Sequence, residues 1–179
     1  MSKQIITWNN IPITYNGIPL MYNVPPHQDL KYVDIWLYKN GASTDNVFLE
    51  IRSGSYTGTV LGTSDSLNGA TLTTTATQTR FTFSTPIILN SGTQYYLRAN
   101  RDGVVSTINY YVLSVNNTNP YSSGVMGYAG GQQVTMDIPL ILSNPDNTTI
   151  LDIPDIGGAG TVFGYNTAAA LYIWQSFIL

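Results

Sequence analysis

Between Asp29 and Leu142 apolar and polar positions alternate with a period of two, the pattern of strands that bury one face. From Lys31 to Tyr38, Val33, Ile35 and Leu37 share one face while Tyr32, Asp34, Trp36 and Tyr38 share the other. From Asn46 to Ser53, Val47, Leu49 and Ile51 oppose Phe48, Glu50 and Arg52. Thr79 to Ser84 sets Phe81 and Phe83 together, and Pro86 to Leu89 pairs with Thr93 to Asn100 across Asn90-Ser91-Gly92. Tyr95, Leu97 and Ala99 then point inward, and Tyr96 and Arg98 outward. Strand-like runs follow at Ser106 to Val115 and Val134 to Leu142. Short strands separated by Gly, Asn and Ser turns predict an all-β antiparallel β-sandwich, a jelly roll, with no helix in this span.

Two flanks depart from that pattern, dividing the chain into an arm (1–28), a sandwich (29–142) and a C-terminal extension (143–179). The arm repeats every seven residues: Ile6-Thr7-Trp8-Asn9-Asn10-Ile11-Pro12, Ile13-Thr14-Tyr15-Asn16-Gly17-Ile18-Pro19, then the weaker Leu20-Met21-Tyr22-Asn23-Val24-Pro25-Pro26. Proline at that interval forbids a continuous helix and leaves short extended pieces punctuated by turns. Such pieces cannot bury their own aromatic faces, so the arm lies either along its own domain or against a neighbour. The extension ends in an uncharged run, Ala168 to Leu179. That run is too short to span a bilayer and too apolar to stand in water. Its Tyr, Ile, Trp and Phe favour a strand, either the last of the sandwich or a clamp between subunits. The candidate assembly contacts are Trp8, Tyr15, Tyr22, Leu171, Ile173, Trp174 and Phe177.

Composition narrows the function. Charged residues are 9% of the 179, and the formal charge is −3, against about 25% charged in an ordinary domain. Seven scattered Lys and Arg offer no cationic face from which a phosphate backbone could displace counterions, so nucleic acid is excluded as a partner. With 22 Thr, 16 Asn, 14 Ser and 13 Tyr, solubility rests on hydroxyls and amides. That surface suits contact with proteins or sugars. Cysteine is absent, which excludes disulfides and thiolate metal sites. There is no apolar run of membrane-spanning length.

Catalytic chemistry has little to work with. His27 is the single histidine, so no His-rich metal site can form, and no Gly-x-Ser-x-Gly elbow presents a serine. The acids sit in turn contexts such as Asp45-Asn46, Asp65-Ser66 and Arg101-Asp102-Gly103, where Asp and Asn bond their own backbone. Calcium held by Asn100, Asp102, Asp45 and Asp65 is the weaker alternative there. No enzyme, cofactor or metal is expected. Sugar binding has more support, because aromatic faces on a rigid sheet stack on pyranose rings while amides fix hydroxyls. Its candidate contacts are Trp36, Tyr38, Tyr110, Tyr121 and Tyr128. The same aromatics suit a subunit interface, and that reading is favoured over sugar binding.

The run Tyr32-Val33-Asp34-Ile35-Trp36-Leu37, then Val47-Phe48-Leu49-Glu50-Ile51-Arg52 and Thr59-Val60-Leu61-Gly62-Thr63-Ser64, resembles jelly-roll modules of bacterial surface proteins and of phage structural proteins. The likeness continues through Thr79-Arg80-Phe81-Thr82-Phe83 and Pro86 to Leu97, covering about 70 residues. The heptad arm is similar to segments of tailed-bacteriophage structural proteins. The resemblance implies a scaffold rather than a chemistry. The expected function is a virion structural protein, located in the virion as a capsid-decoration, head-fibre, neck or tail-fibre subunit. Its expected partners are its own copies, a trimer being favoured, and other virion proteins. A carbohydrate-binding receptor module that takes a cell-surface glycan, and a filament subunit built by strand exchange, are the alternatives.

Overall fold

The computed structural model describes residues 13–15, 18–20, 27–104, 108–116, 121–128, 131–133, 137–154, 163–164 and 173–179. Its strands are β1 (Ile13–Tyr15), β2 (Ile18–Leu20), β3 (His27–Asn40), β4 (Asn46–Ser53), β5 (Thr59–Thr63), β6 (Leu67–Asn68), β7 (Thr77–Asn90) and β8 (Gln94–Arg101). They continue as β9 (Tyr110–Leu113), β10 (Met126–Tyr128), β11 (Gly131–Gln133), β12 (Leu140–Ser143), β13 (Thr149–Ile153), β14 (Phe163–Gly164) and β15 (Ile173–Ile178). The one helical piece among the described residues is a 3-10 turn at Gly69–Thr71, capped by the Asn68 side chain, which accepts from the Ala70 N–H.

Strands β3 to β15 form two antiparallel sheets. One runs β11-β10-β15-β8-β4-β5, with β6 also on β4. The other runs β13-β12-β3-β9-β14, with β7 on the opposite side of β3. From β3 onward the chain changes sheet at most connections, the winding of a jelly-roll-type sandwich. The inward residues of both sheets close into one core: Val33, Ile35 and Leu37 from β3, Val47, Leu49 and Ile51 from β4, Phe81 and Phe83 from β7, and Tyr95, Leu97 and Ala99 from β8. The period-two pattern predicts each of these positions.

Pro86–Leu89 does not pair with Thr93–Asn100 as expected, because the turn at Asn90-Ser91-Gly92 carries the chain from the β3 sheet to the sheet of β8. Two further features differ from the expected layout. Thr79–Ser84 and Pro86–Leu89 are a single strand, β7, paired to β3 along its length. The apparent break is a bulge, because Leu30 pairs with Ile87 whereas Tyr32 pairs with Thr82. Pro86 lies in the excess residues, where a missing N–H costs no ladder bond, and the Lys31 Nζ donates to the Ser84 carbonyl there at 2.9 Å. The bulge and Pro86 also blunt the outer edge of β7 against pairing with another chain.

The last difference is the end of the sandwich. Of residues 143–179, the described strands β13 and β15 join the sandwich: β13 pairs with β12 and β15 lies between β8 and β10. Alternation explains the insertion. Gln175 and Phe177 sit opposite Leu97 and Tyr95 and are fully buried. The Phe177 ring rests against Tyr95 at a centroid separation of 5.9 Å. At the other end of the chain β1 and β2 pair as a two-stranded hairpin, Tyr15 opposite Ile18. The intervening Asn16-Gly17 is the dipeptide that two-residue hairpins prefer.

Candidate functional site

The outer face of the β3 sheet carries a row of flat side chains. Outward positions of β3 are Tyr32, Asp34, Trp36 and Tyr38, and they stand opposite Thr82, Arg80 and Gln78 of β7 and Val112 of β9. Asp34 is buried despite its outward position. Its two carboxylate oxygens accept from Arg80 Nε at 2.9 Å and Nη2 at 2.7 Å. Arg80 Nη1 donates to the Asn147 side-chain oxygen at 2.8 Å, and its guanidinium lies 5.0 Å over the Tyr32 ring. The hydrogen bonds to Asp34, with its charge, hold the Arg80 guanidinium above its ordinary pKa. Asn147 takes a left-handed backbone (φ 62°), which asparagine tolerates better than other side chains. Arg80 therefore forms a fixed planar layer, with its side chain 47% exposed. Trp36 and Tyr38 are half-buried further along the row.

At the end of the sandwich beyond Asn40, the β3–β4 and β8–β9 loops are locked together. Arg101 donates to Asp45 through Nε at 2.5 Å and Nη2 at 2.7 Å, with the two side chains 8% and 15% exposed. Asp45 also accepts from the Gly103 N–H at 3.1 Å and from the Tyr111 hydroxyl at 3.2 Å. Burial, and then the Asp45 charge and hydrogen bond, push the Tyr111 phenol up to about 12. Gly103 packs so closely on Asp45 that a Cβ would collide with the carboxylate. Asp102 accepts from the backbone and side chain of Asn46, both at 2.8 Å, which lowers its pKa. Between the loops lies an open cleft of about 340 Å3 lined by Ser43, Thr44, Asp45, Arg101, Val104 and Asn109. Val104, at its rim, is 86% exposed.

A third cluster fastens β15. The Asp137 carboxylate is fully buried and accepts from Gln175 Nε2 and from the Tyr121 N–H, both at 2.8 Å. The Gln175 oxygen accepts from the Ile138 N–H at 2.9 Å. Burial pushes the Asp137 carboxyl above the usual carboxylate range, against the lowering effect of those two donors. The Tyr121 hydroxyl donates to the Ile178 carbonyl at 2.6 Å and accepts from the Ile178 N–H at 3.1 Å.

No family model, curated protein or solved structure matches this chain. Its own geometry carries what can be said of function.

That geometry sorts the sequence-predicted residues. Trp36 and Tyr38 share the outer face of β3, and Tyr110, which pairs opposite Asn40, continues their row. Tyr111 turns inward to the core. Tyr121 stands outside this row, its hydroxyl spent on the backbone of β15. Phe177, expected among the assembly contacts, is inside its own sandwich. Ile173 and Trp174 belong to the same interior strand, and Tyr15 and Tyr128 to β1 and β10; the side chains of these four lie outside the described residues. Trp8, Tyr22 and Leu171 lie outside them entirely.

His27 is exposed at the start of β3, paired with Asn90. The acids considered for calcium are engaged by protein donors: Asp45 accepts from Arg101, Asp102 from Asn46, and Asp65 from Ser84 at 2.5 Å. Among the described residues no group of three or more His, Cys, Asp or Glu is placed to hold a metal, and no helix is long and apolar enough to cross a membrane. The ion pairs Asp34–Arg80 and Asp45–Arg101 escaped the sequence reading. Only the outward placement of Asp34 and the turn context of Asp45 hinted at them.

Proposed function

We propose that the protein is a non-catalytic structural subunit of a tailed-phage virion, in a capsid-decoration, head-fibre, neck or tail-fibre position. The observation that carries this reading is the use made of its few charges. Asp34 ties β3 to β7 and, through Arg80, to the turn after β12. Asp45 ties one loop to another, and Asp137 ties β15 into its sheet. A carboxylate that serves as general acid or base must exchange its proton with a substrate; these are engaged by protein donors and serve rigidity. The resemblance of the strand pattern and of the heptad arm to phage structural proteins supplies the context.

In this reading the arm makes the contacts between copies and with other virion proteins, and the sandwich projects as a rigid body. The described core lies between Leu30 and Phe177. Deleting residues 1–26 should therefore leave a folded sandwich that neither oligomerises nor enters particles. Light scattering after size exclusion, thermal melts and particle incorporation test this together. An arm-deleted chain with unchanged mass and normal incorporation would refute it.

A further inference from the structure

We propose that the outer face of the β3 sheet binds an uncharged, linear polysaccharide along the row Tyr32–Trp36–Tyr38–Tyr110. None of these residues belongs to the arm, and the proposal stands independently of the assembly role. Three observations lead to it.

The row is long and straight. Tyr32, Trp36 and Tyr38 occupy outward positions of one strand, with Asp34 between the first two, so at about 3.4 Å per residue Tyr32 and Tyr38 are roughly 20 Å apart. Tyr110 extends the line as the diagonal neighbour of Tyr38, since Asn40 pairs with Tyr110 and Tyr38 with Val112. An extended ligand matches this shape better than a single ring.

One end of the row is a plane held in place. Tyr32 is covered by the Arg80 guanidinium, which is fixed in its plane by Asp34 and Asn147. A half-exposed planar group that cannot rotate costs little entropy to bind against. Aromatic and guanidinium planes present apolar faces to the C–H faces of sugar rings, and Gln78, opposite Trp36, supplies an amide for hydroxyls.

The charges select against ionic ligands. The one cation in the row is already paired with Asp34. Asp152, opposite the outward Ile141, adds a negative charge at the margin. A phosphorylated or sulfated chain would gain no free cation and meet that carboxylate, whereas a neutral chain loses nothing.

The test is affinity electrophoresis of the full-length protein in native gels cast with dextran, a β-1,3-glucan or a galactomannan. At least one gel should retard it. Trp36→Ala and Tyr38→Ala should each weaken retardation about tenfold or more, as expected for loss of one stacked ring, with the melting temperature held within a few degrees. Trp36→Phe should keep part of the binding, which a merely structural role for the indole would not require. No retardation in any of the three gels would overturn the proposal, as would retardation unchanged in both alanine variants. It would equally be overturned if those variants left retardation intact but dissociated an oligomer, because the face would then be a protein interface.

Discussion

Replacing Phe177 with alanine separates a strand that completes its own sandwich from one that docks elsewhere. The side chain is 0% exposed, opposite Tyr95 in the register of β15 on β8, and its ring is 5.9 Å from the Tyr95 ring. Truncating a core phenylalanine costs about 3–5 kcal/mol, the sum of lost transfer energy and the cavity left behind. For a chain of this size each kcal/mol moves the melting temperature by about 2–4 °C, so a fall of roughly 6–20 °C is expected. Ile178 is the internal control. It is the next residue of the same strand, yet it faces outward and is 39% exposed; its replacement by alanine should cost less than about 1 kcal/mol. Thermal and urea unfolding followed by circular dichroism measure both. Equal losses would mean that the alternation of β15 is misassigned. A Phe177→Ala variant within about 1 kcal/mol of the parent would mean that this strand does not pack in its own core.

Other outcomes follow from the same contacts. Asp45→Ala should destabilise by about 3–5 kcal/mol in urea titration, because it leaves the buried Arg101 guanidinium unpaired. Gly124→Ala should loosen β15, since a Cβ there collides with the Ser176 carbonyl and crowds the Tyr121 ring; hydrogen exchange should show faster opening of residues 175–178. Asp137 carries a raised pKa in the folded state, so it binds its proton more tightly folded than unfolded. Stability tied to it falls as pH rises from near its ordinary value of 3.8 through the folded value, and melts of Asp137→Asn and parent across acidic to neutral pH should show the variant gaining relative to the parent. Asp102 has the opposite sign: its lowered pKa contributes stability above 3.8 that is lost as pH falls through the folded value. Asn46→Ala should flatten that acid-side loss in the same melts.

Period-two patterning carried the core directly. Val33, Ile35 and Leu37, or Tyr95, Leu97 and Ala99, are inward because neighbouring residues of a strand must face opposite ways. The same rule set Tyr32, Trp36 and Tyr38 on one outer face, although only the pairing of Asn40 with Tyr110 adds the fourth aromatic. What the pattern cannot encode is which strands meet. Ile173–Ile178 reads as a strand, but its partners are residues 94–99, and nothing local distinguishes that slot from an edge or from another subunit. Pro86 reads as a terminator, whereas the excess residues of a bulge absorb it within β7. The charged pairs were invisible for a related reason. Asp34 and Arg80, or Asp45 and Arg101, meet only because register brings distant strands together.

The position of β15 also bears on how the protein is made. Sheet order places residues 173–178 between strands that are translated far earlier, and roughly 70 residues separate the end of β8 from the start of β15. At about 5–20 residues per second, β8 waits several seconds on the ribosome with one edge unpaired and its apolar face incompletely covered. The sandwich therefore cannot close progressively from its amino end; closure is a late, non-local step and a slow one. During that interval nascent copies on neighbouring ribosomes are exposed to edge-to-edge association, so yield of soluble protein should improve when initiation is made less frequent and nascent chains are kept dilute, and should worsen when elongation alone is slowed.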